Sequence, residues 1–400
     1  MKKFHIVGAF DRHNYGDILF PLIHSTIIKS NLSNSIEIKY YAITDADLTS
    51  HGGVRTESIK KLIQSRPKED EVVIMSGGDI LAADWADMVG HLSSPTTYFA
   101  IRVLRKIFGV GLANHFTKIV LMQKNNFPYV LSKNNLTSKI HYCAVSGSGF
   151  NPKNDAIHLN KVAEELKKTN SISVRDKSTQ KLLASKNVVA RLIPDSALVM
   201  SDIYPPLSLK KTAWKALLRK TEDFLPGNHI VFQGAKNYIS SDLQNIAEQL
   251  FRISNDTKAS ILLLPIGRAT GHEDHIPLEK LFNILKNKRT PCAIQDSTNV
   301  LDIMASIAFS KSYIGTSLHG AITSYSFGHK VCGIAIRKVK KLGNFVSTWM
   351  TPGDYHLSEE TDFADAFLGL TKLSYSISDH EKLKNQKTAI YQEVSTYRQA

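Results

Sequence analysis

Tyr313-Ile314-Gly315-Thr316-Ser317-Leu318-His319-Gly320-Ala321 passes in nine residues from strand-forming side chains, through small polar ones, into a helical start. Such a unit is a strand, a tight turn and a helix N-terminus. Its polar side chains are held over backbone N–H groups that favour an anion. Ser317 and His319 are two apart and do not face each other on a helix, so they do not form a nucleophile–base pair. His319 reads instead as a general acid or a donor to an anion.

The same strand-to-helix rhythm runs outward through the chain. Strands are predicted near 3–9, 36–43, 71–75, 139–146, 170–174 and 189–193, with helices at 17–30, 56–64, 155–168 and 177–186. A second series has strands near 229–234, 260–265, 291–294, 311–315 and 330–336, with helices at 239–254, 276–287, 299–309 and 318–327. Regular alternation of this kind predicts parallel sheets joined by crossover helices. The expected fold is α/β, with two Rossmann-like doubly wound domains facing across a cleft. The domains are placed at 1–205 (acceptor side, contributing Arg175) and 229–376 (donor side). Between them, 206–228 reads as a linker whose basic stretch Lys210 to Arg219 forms a connecting helix, and 377–400 reads as a final helix.

The chain has 400 residues, 42% hydrophobic and 22% charged, enough for two cores. Its formal charge of +14 attracts polyanions, anionic surfaces or phosphorylated substrates. Nucleic acid is not expected as a partner, because charge alone argues for it and no binding motif accompanies the charge. Cys143, Cys292 and Cys332 are scattered through apolar runs, which excludes a disulfide framework and reads as buried thiols. The apolar start Phe4 to Phe10 is too short for a signal peptide and reads as a first strand; no run approaches the ~20 apolar residues of a membrane span. A cytoplasmic protein follows, soluble or peripheral at the inner face of the membrane. The apolar and cationic run Tyr98 to Phe108 is either a charged helix face over a core or a contact with an anionic bilayer or lipid-linked acceptor.

Four further loops fall at predicted strand ends, where open parallel sheets bind ligands. Asn14-Tyr15-Gly16-Asp17 follows the first strand; Gly16 allows close approach and Asp17 caps the next helix. Ser76-Gly77-Gly78-Asp79 offers backbone to a ligand. Ser173-Val174-Arg175-Asp176-Lys177-Ser178 places Arg175 at a strand end, where its fork binds carboxylate or phosphate, and Asp195 of Pro194-Asp195-Ser196-Ala197 orients it. Leu264 to Arg268 with Gly271-His272-Glu273-Asp274-His275 reads as an anion-handling loop built on Gly267, Arg268 and protonatable histidines, among them His272. A third metal ligand is missing there, so no metal is expected.

In this order the landmarks Asn14 to Asp17, Ser173 to Ser178, Pro194 to Leu198, Leu264 to His275 and Gly315 to Gly320 resemble those of the polysaccharide pyruvyl transferase family. The resemblance implies a fold like the GT-B glycosyltransferases. It implies phosphoenolpyruvate as donor substrate with no separate cofactor, and a pyruvyl ketal formed on a sugar of a surface polysaccharide or its precursor, with release of phosphate. The acceptor would be a saccharide, free or lipid-linked. Arg175 and His319 would serve the donor, with Asp17 contacting the acceptor or acting as base. Many members carry an arginine where this chain has Ser317; Arg268 or Arg337 would have to substitute. The remaining alternatives are a GT-B glycosyltransferase using a nucleotide sugar, and a non-catalytic anion- or glycan-binding protein.

Overall fold

β1 (Lys2–Val7) lies inside one sheet and β10 (His229–Gln233) inside another, and each marks the point where its sheet reverses strand order. The computed structural model describes residues 2–30, 36–123, 125–151, 155–211, 214–359, 362–373 and 377–399. The first sheet has eight strands in the order β3-β4-β2-β1-β5-β6-β7-β8. Its remaining members are β2 (Ile36–Ala42), β3 (Ala46–Asp47), β4 (Arg55–Ser58), β5 (Val72–Ser76), β6 (Lys139–Val145), β7 (Ser171–Val174) and β8 (Arg191–Leu192). The second has seven, β15-β14-β13-β10-β11-β12-β9. These are β9 (Leu218–Lys220), β11 (Ser260–Leu263), β12 (Cys292–Gln295), β13 (Ser312–Gly315), β14 (Lys330–Gly333) and β15 (Tyr355–Leu357). All pairings are parallel except β3 with β4 and β9 with β12.

The alternation of side chains along each strand explains how the sheets are covered. In β1, Phe4 and Ile6 face one apolar core and Val7 another. In β10, Val231 joins the first of these while Ile230 and Phe232 join a third. Both faces of both sheets are therefore packed, as parallel sheets require. The core that holds Phe4 and Val231 is shared by both sheets: it also contains Ile18, Ile23, Met200, Ile303, Ile322 and Ile390.

Helix Tyr15–Lys29 starts after β1 and Leu318–Ser326 after β13, so their N-termini lie at the carboxyl ends of the two sheets. The final helix, Ile377–Gln399, returns to the first sheet, where Glu393 pairs with Arg191 of β8 at 2.8 Å.

Two local expectations are overturned. The run expected to be helical from residue 56 begins as β4, because Glu57 pairs with Tyr41 of β2, and the helix starts only at Ile59. The expected connecting helix Lys210 to Arg219 is replaced by a 3-10 turn Trp214–Leu217 and the edge strand β9; residues 212 and 213 lie outside the described residues. Arg219 is held at that edge by Asp296 (2.5 Å) and Glu279 (3.3 Å), partners distant in sequence and invisible to periodicity. Helix Trp85–Leu92 has no counterpart among the predicted elements; helix Pro95–Val120 contains the helix face expected at Tyr98 to Phe108 but extends well beyond it, and none of its residues is buried over a core.

Candidate active site

The carboxyl ends of the two sheets meet. Asn14 and Gly267 form an isolated antiparallel bridge, and the Tyr15 N–H donates to the Ile266 carbonyl at 3.1 Å. Two of the loops singled out by sequence are thus joined backbone to backbone. Asn14, rather than Asp17, caps the first helix, its side chain accepting from the Gly16 N–H at 3.2 Å. Freed from capping, the Asp17 carboxylate stands 3.4 Å from Arg12.

Above this seam is a cavity of about 500 Å³. Asn14, Asp17, Gly78, Asp79, Arg175, Gly267, His272, Ser317 and His319 line it. Asp195 lies behind Arg175, accepting from its Nη1 at 2.6 Å, both side chains being buried. The same Asp195 oxygen is 3.8 Å from His319 Nε2, beyond hydrogen bonding but close enough for charge to act. Burial alone pushes the Asp195 carboxyl up, yet His319 and Arg175 beside it bring it down to about 2. Arg175 from the first sheet and His319 from the second are therefore organised around one anionic oxygen. The remaining N–H groups of the Arg175 fork have no protein acceptor among the described residues.

The glycines chosen from sequence have steric reasons to be there. A methyl group on Gly16 would overlap the His319 ring, which also packs edge-on against Phe20. One on Gly78 would come within 3.1 Å of the Arg175 guanidinium, and one on Gly320 would overlap the Tyr313 hydroxyl. The approaches at Gly16 and Gly320 leave no room for a Cβ, whereas at Gly78 the Arg175 fork would have to give by a few tenths of an ångström.

The turn after β13 differs from the open cradle expected there. Gln233, at the end of β10, turns its Oε1 into it and accepts from the N–H groups of Thr316 (3.1 Å) and Ser317 (2.8 Å). Ser317 caps the helix through the Gly320 N–H. What stays unpaired in the first turn, among the described residues, is the N–H of Leu318 and of His319. The other end of the Gln233 amide donates to Asp274 at 2.9 Å.

Asp274, which the sequence offered only as one member of its loop, takes a place of its own in the structure. Its Oδ2 also accepts from the Ile266 and Gly267 N–H groups, while its Oδ1 has no partner among the described residues. Burial lifts its carboxyl to about 7, these donors opposing only in part. Its neighbour His272 departs from expectation in the opposite direction. Burial, reinforced by Lys341, His91 and Arg12, pushes that ring down to about 3, so it is neutral rather than protonatable. It stacks on His91 at 5.6 Å instead.

Neither Arg268 nor Arg337 lines the cavity. Arg268 reaches the Asp296 carbonyl at 3.4 Å, and Arg337 is an exposed partner of Glu359. Three other cations line it: Arg12, just after β1, Lys341, in the first turn of helix Lys340–Trp349, and Arg105, already paired with Asp84 and Asp87. Lys341 is exposed to solvent as a residue, but protein crowds its ammonium where it lines the cavity; that desolvation pushes its pKa down, Asp79 opposing and Arg175 adding to the fall. The far end of that helix is tied to the same place, since Trp349 Nε1 donates to the Arg175 carbonyl at 2.7 Å. Arg337 was the cation of this stretch legible in sequence; Lys341, four residues on, is the one that lines the cavity.

Toward the other side the lining becomes mixed and hydrogen-bonding. Arg105 binds Asp84 (2.7 Å) and Asp87 (2.5 Å), with Tyr98, His91 and His158 nearby. Burial raises Asp84 to about 6 in spite of Arg105. No group of three side chains able to hold a metal ion occurs among the described residues. No described helix is long and apolar enough to cross a membrane.

The architecture resembles solved structures at very low identity. The UDP-GlcNAc 2-epimerase of Methanocaldococcus jannaschii matches with TM-score 0.58 and 10% identity over 100% of both chains. The enzyme of the same name from Rickettsia bellii gives 0.56 and 10% over 99% of this chain and 95% of that one. Staphylococcus aureus MnaA, solved with UDP, gives 0.54 and 12% over 98% and 92%. Likeness at this level carries the fold alone: two Rossmann-like domains facing across a cleft, as in GT-B enzymes. No curated protein matches the chain significantly. The family model described as polysaccharide pyruvyl transferase matches residues 11–337, from the loop after β1 to the end of the β14 loop, and to that family the chain belongs.

Proposed function

We propose that the protein transfers the pyruvyl group of phosphoenolpyruvate to two hydroxyls of a sugar in a surface polysaccharide or its precursor, forming a ketal and releasing phosphate. The observation that carries this reading is the convergence of Arg175, His319, Arg12 and Lys341, drawn from both sheets, on a single cavity. A donor with a carboxylate and a phosphate needs several cations and oriented N–H groups at close range. Asp195 neutralises part of Arg175, but it also fixes the fork and sets a carboxylate oxygen 3.8 Å from His319.

In this reading His319 delivers a proton to the methylene carbon of the donor. The adjacent carbon, now oxocarbenium-like, is attacked by one sugar hydroxyl. The C–O bond to phosphate then breaks and a second hydroxyl closes the ketal. The two hydroxyl protons leave as the methyl carbon gains one and phosphate carries the other. Asp274, ionising near neutrality, takes up a hydroxyl proton; a positioned acid or base of this kind contributes about 10²–10⁴-fold. Arg12, Arg175 and Lys341 hold the donor's charges, and the Asp84–Asp87–Arg105 side binds the sugar. The amide of Gln233 already fills the N–H groups of Thr316 and Ser317, which counts against a nucleotide diphosphate seated on that turn.

The decisive assay incubates the protein with phosphoenolpyruvate and a panel of saccharides, reading phosphate release and product mass. Phosphate released in step with one pyruvyl ketal per acceptor is expected, and His319→Gln should abolish both. Consumption of a nucleotide sugar with no use of phosphoenolpyruvate would overturn the reading.

A further inference from the structure

Helix Pro95–Val120 has 26 residues, and not one of them is buried. Phe99 is 69% exposed, Ile107 67%, Phe116 62% and Val120 76%, with Leu104 and Leu112 about half exposed. Apolar surface on this scale in one element marks an interaction site. The helix is broken at Gly109 (φ 78°, ψ 161°) into two arms, each much shorter than the ~20 residues needed to span a bilayer.

Its orientation is fixed from the polar side. Arg105 is held by Asp84 and Asp87, and the Asn114 side chain accepts from the Trp85 N–H at 2.7 Å. With those contacts turned toward the cavity wall, Phe99, Val103 and Ile107, spaced by four, turn outward. The charges are one-sided as well. From residue 88 to residue 154 the chain contains no Asp or Glu, whereas the helix carries Arg102, Arg105, Lys106 and Lys118. Arg102 and Lys106 are exposed beside the apolar stripe, which suits anionic headgroups lying over acyl chains. A second copy of this chain fits poorly: a two-fold contact through this face would bring these cations against their own copies with no acid between them.

We propose that helix Pro95–Val120 seats the protein on the surface of an anionic bilayer, so that a membrane-anchored saccharide acceptor reaches the cavity past Tyr98 and Arg105. Those two residues belong both to the helix and to the cavity lining. The docking surface stands on the helix alone; the acceptor class rests on the transfer reading above.

The test is flotation of the full-length protein with vesicles of phosphatidylglycerol and phosphatidylethanolamine, compared with phosphatidylcholine alone. Expected are binding to the anionic vesicles only, weakening with salt, and a loss of about tenfold or more in partitioning for Ile107→Glu/Phe116→Glu and for Arg102→Glu/Lys106→Glu. Phosphate release with a water-soluble acceptor should stay within about twofold in these variants, because none of the four residues lines the cavity. No flotation with anionic vesicles, or flotation undiminished in the variants, overturns the proposal. So does a wild-type dimer by light scattering that Ile107→Glu/Phe116→Glu converts to monomer. The vesicle arm contains no donor, so failure of pyruvyl transfer would leave its result readable.

Discussion

Arg175 Nη1 lies 2.6 Å from Asp195 Oδ2, and water reaches almost none of either side chain. Each charge is therefore the other's main compensation, and removing one leaves the other buried and unpaired. Arg175→Ala should cost about 3–5 kcal/mol of stability by urea unfolding as well as abolishing transfer. The double variant Arg175→Ala/Asp195→Ala should recover a substantial part of that stability and none of the activity. If the double variant is as unstable as the sum of the singles, the pair is not the coupled unit described.

Gly16→Ala tests the site without touching a polar group. The added methyl overlaps the His319 ring and must displace it. A catalytic group moved by about 1 Å loses on the order of 10²-fold in rate, so kcat should fall by about that much while the melting temperature changes little. Unchanged kcat would separate His319 from the chemistry.

The Asp274 carboxyl ionises near 7 in the fold, against an ordinary value of 3.8. Because the folded state holds this proton more tightly, the group's contribution to stability is greatest below about pH 4 and is lost progressively up to about pH 7. His272, held neutral, acts in the opposite sense below its ordinary value, so absolute melting curves mix the two. Comparison with Asp274→Asn removes the ambiguity. Relative to wild type, that variant should gain up to about 3 kcal/mol between pH 5 and 8, and the alkaline-going rise of activity near neutrality should vanish.

Lys341→Met addresses a cation that lines the cavity where Arg268 and Arg337 do not. Loss of a charge-assisted contact of about 1.5–3 kcal/mol corresponds to a fall of roughly 10–100-fold in kcat/KM for phosphoenolpyruvate. Arg337→Met, at the exposed partner of Glu359, should change it less than about twofold. Equal effects would mean that the inward turn of Lys341 is irrelevant to the donor.

What could be read from sequence followed from local physics. The alternation of apolar strands with helices appears as two parallel sheets, and Arg175, Asp195 and His319 stand at strand ends because strand–turn–helix units put them there. Gly16 and Gly78 were legible as close approaches, though what approaches them was not. Gln233, Asp274 and Lys341 were missed for a common reason. Gln233 looks like the last residue of a strand and acquires meaning only when β13 lies beside β10. Asp274 looks like an exposed acid until Gln233 and the 266–267 backbone close over it. Lys341 is one of several cations in a run, chosen by a helix anchored through Trp349. Partners that arrive from the other sheet leave no periodic trace.

One core runs beneath both sheets, from Phe4 through Val231 to Ile390. Two lobes fused in this way cannot swing apart without exposing that apolar surface to water, at about 25 cal/mol for every Å² uncovered. On the transfer reading, donor and acceptor then enter a vessel of set width, and selectivity among sugars becomes a question of what passes its rim and not of how tightly it shuts.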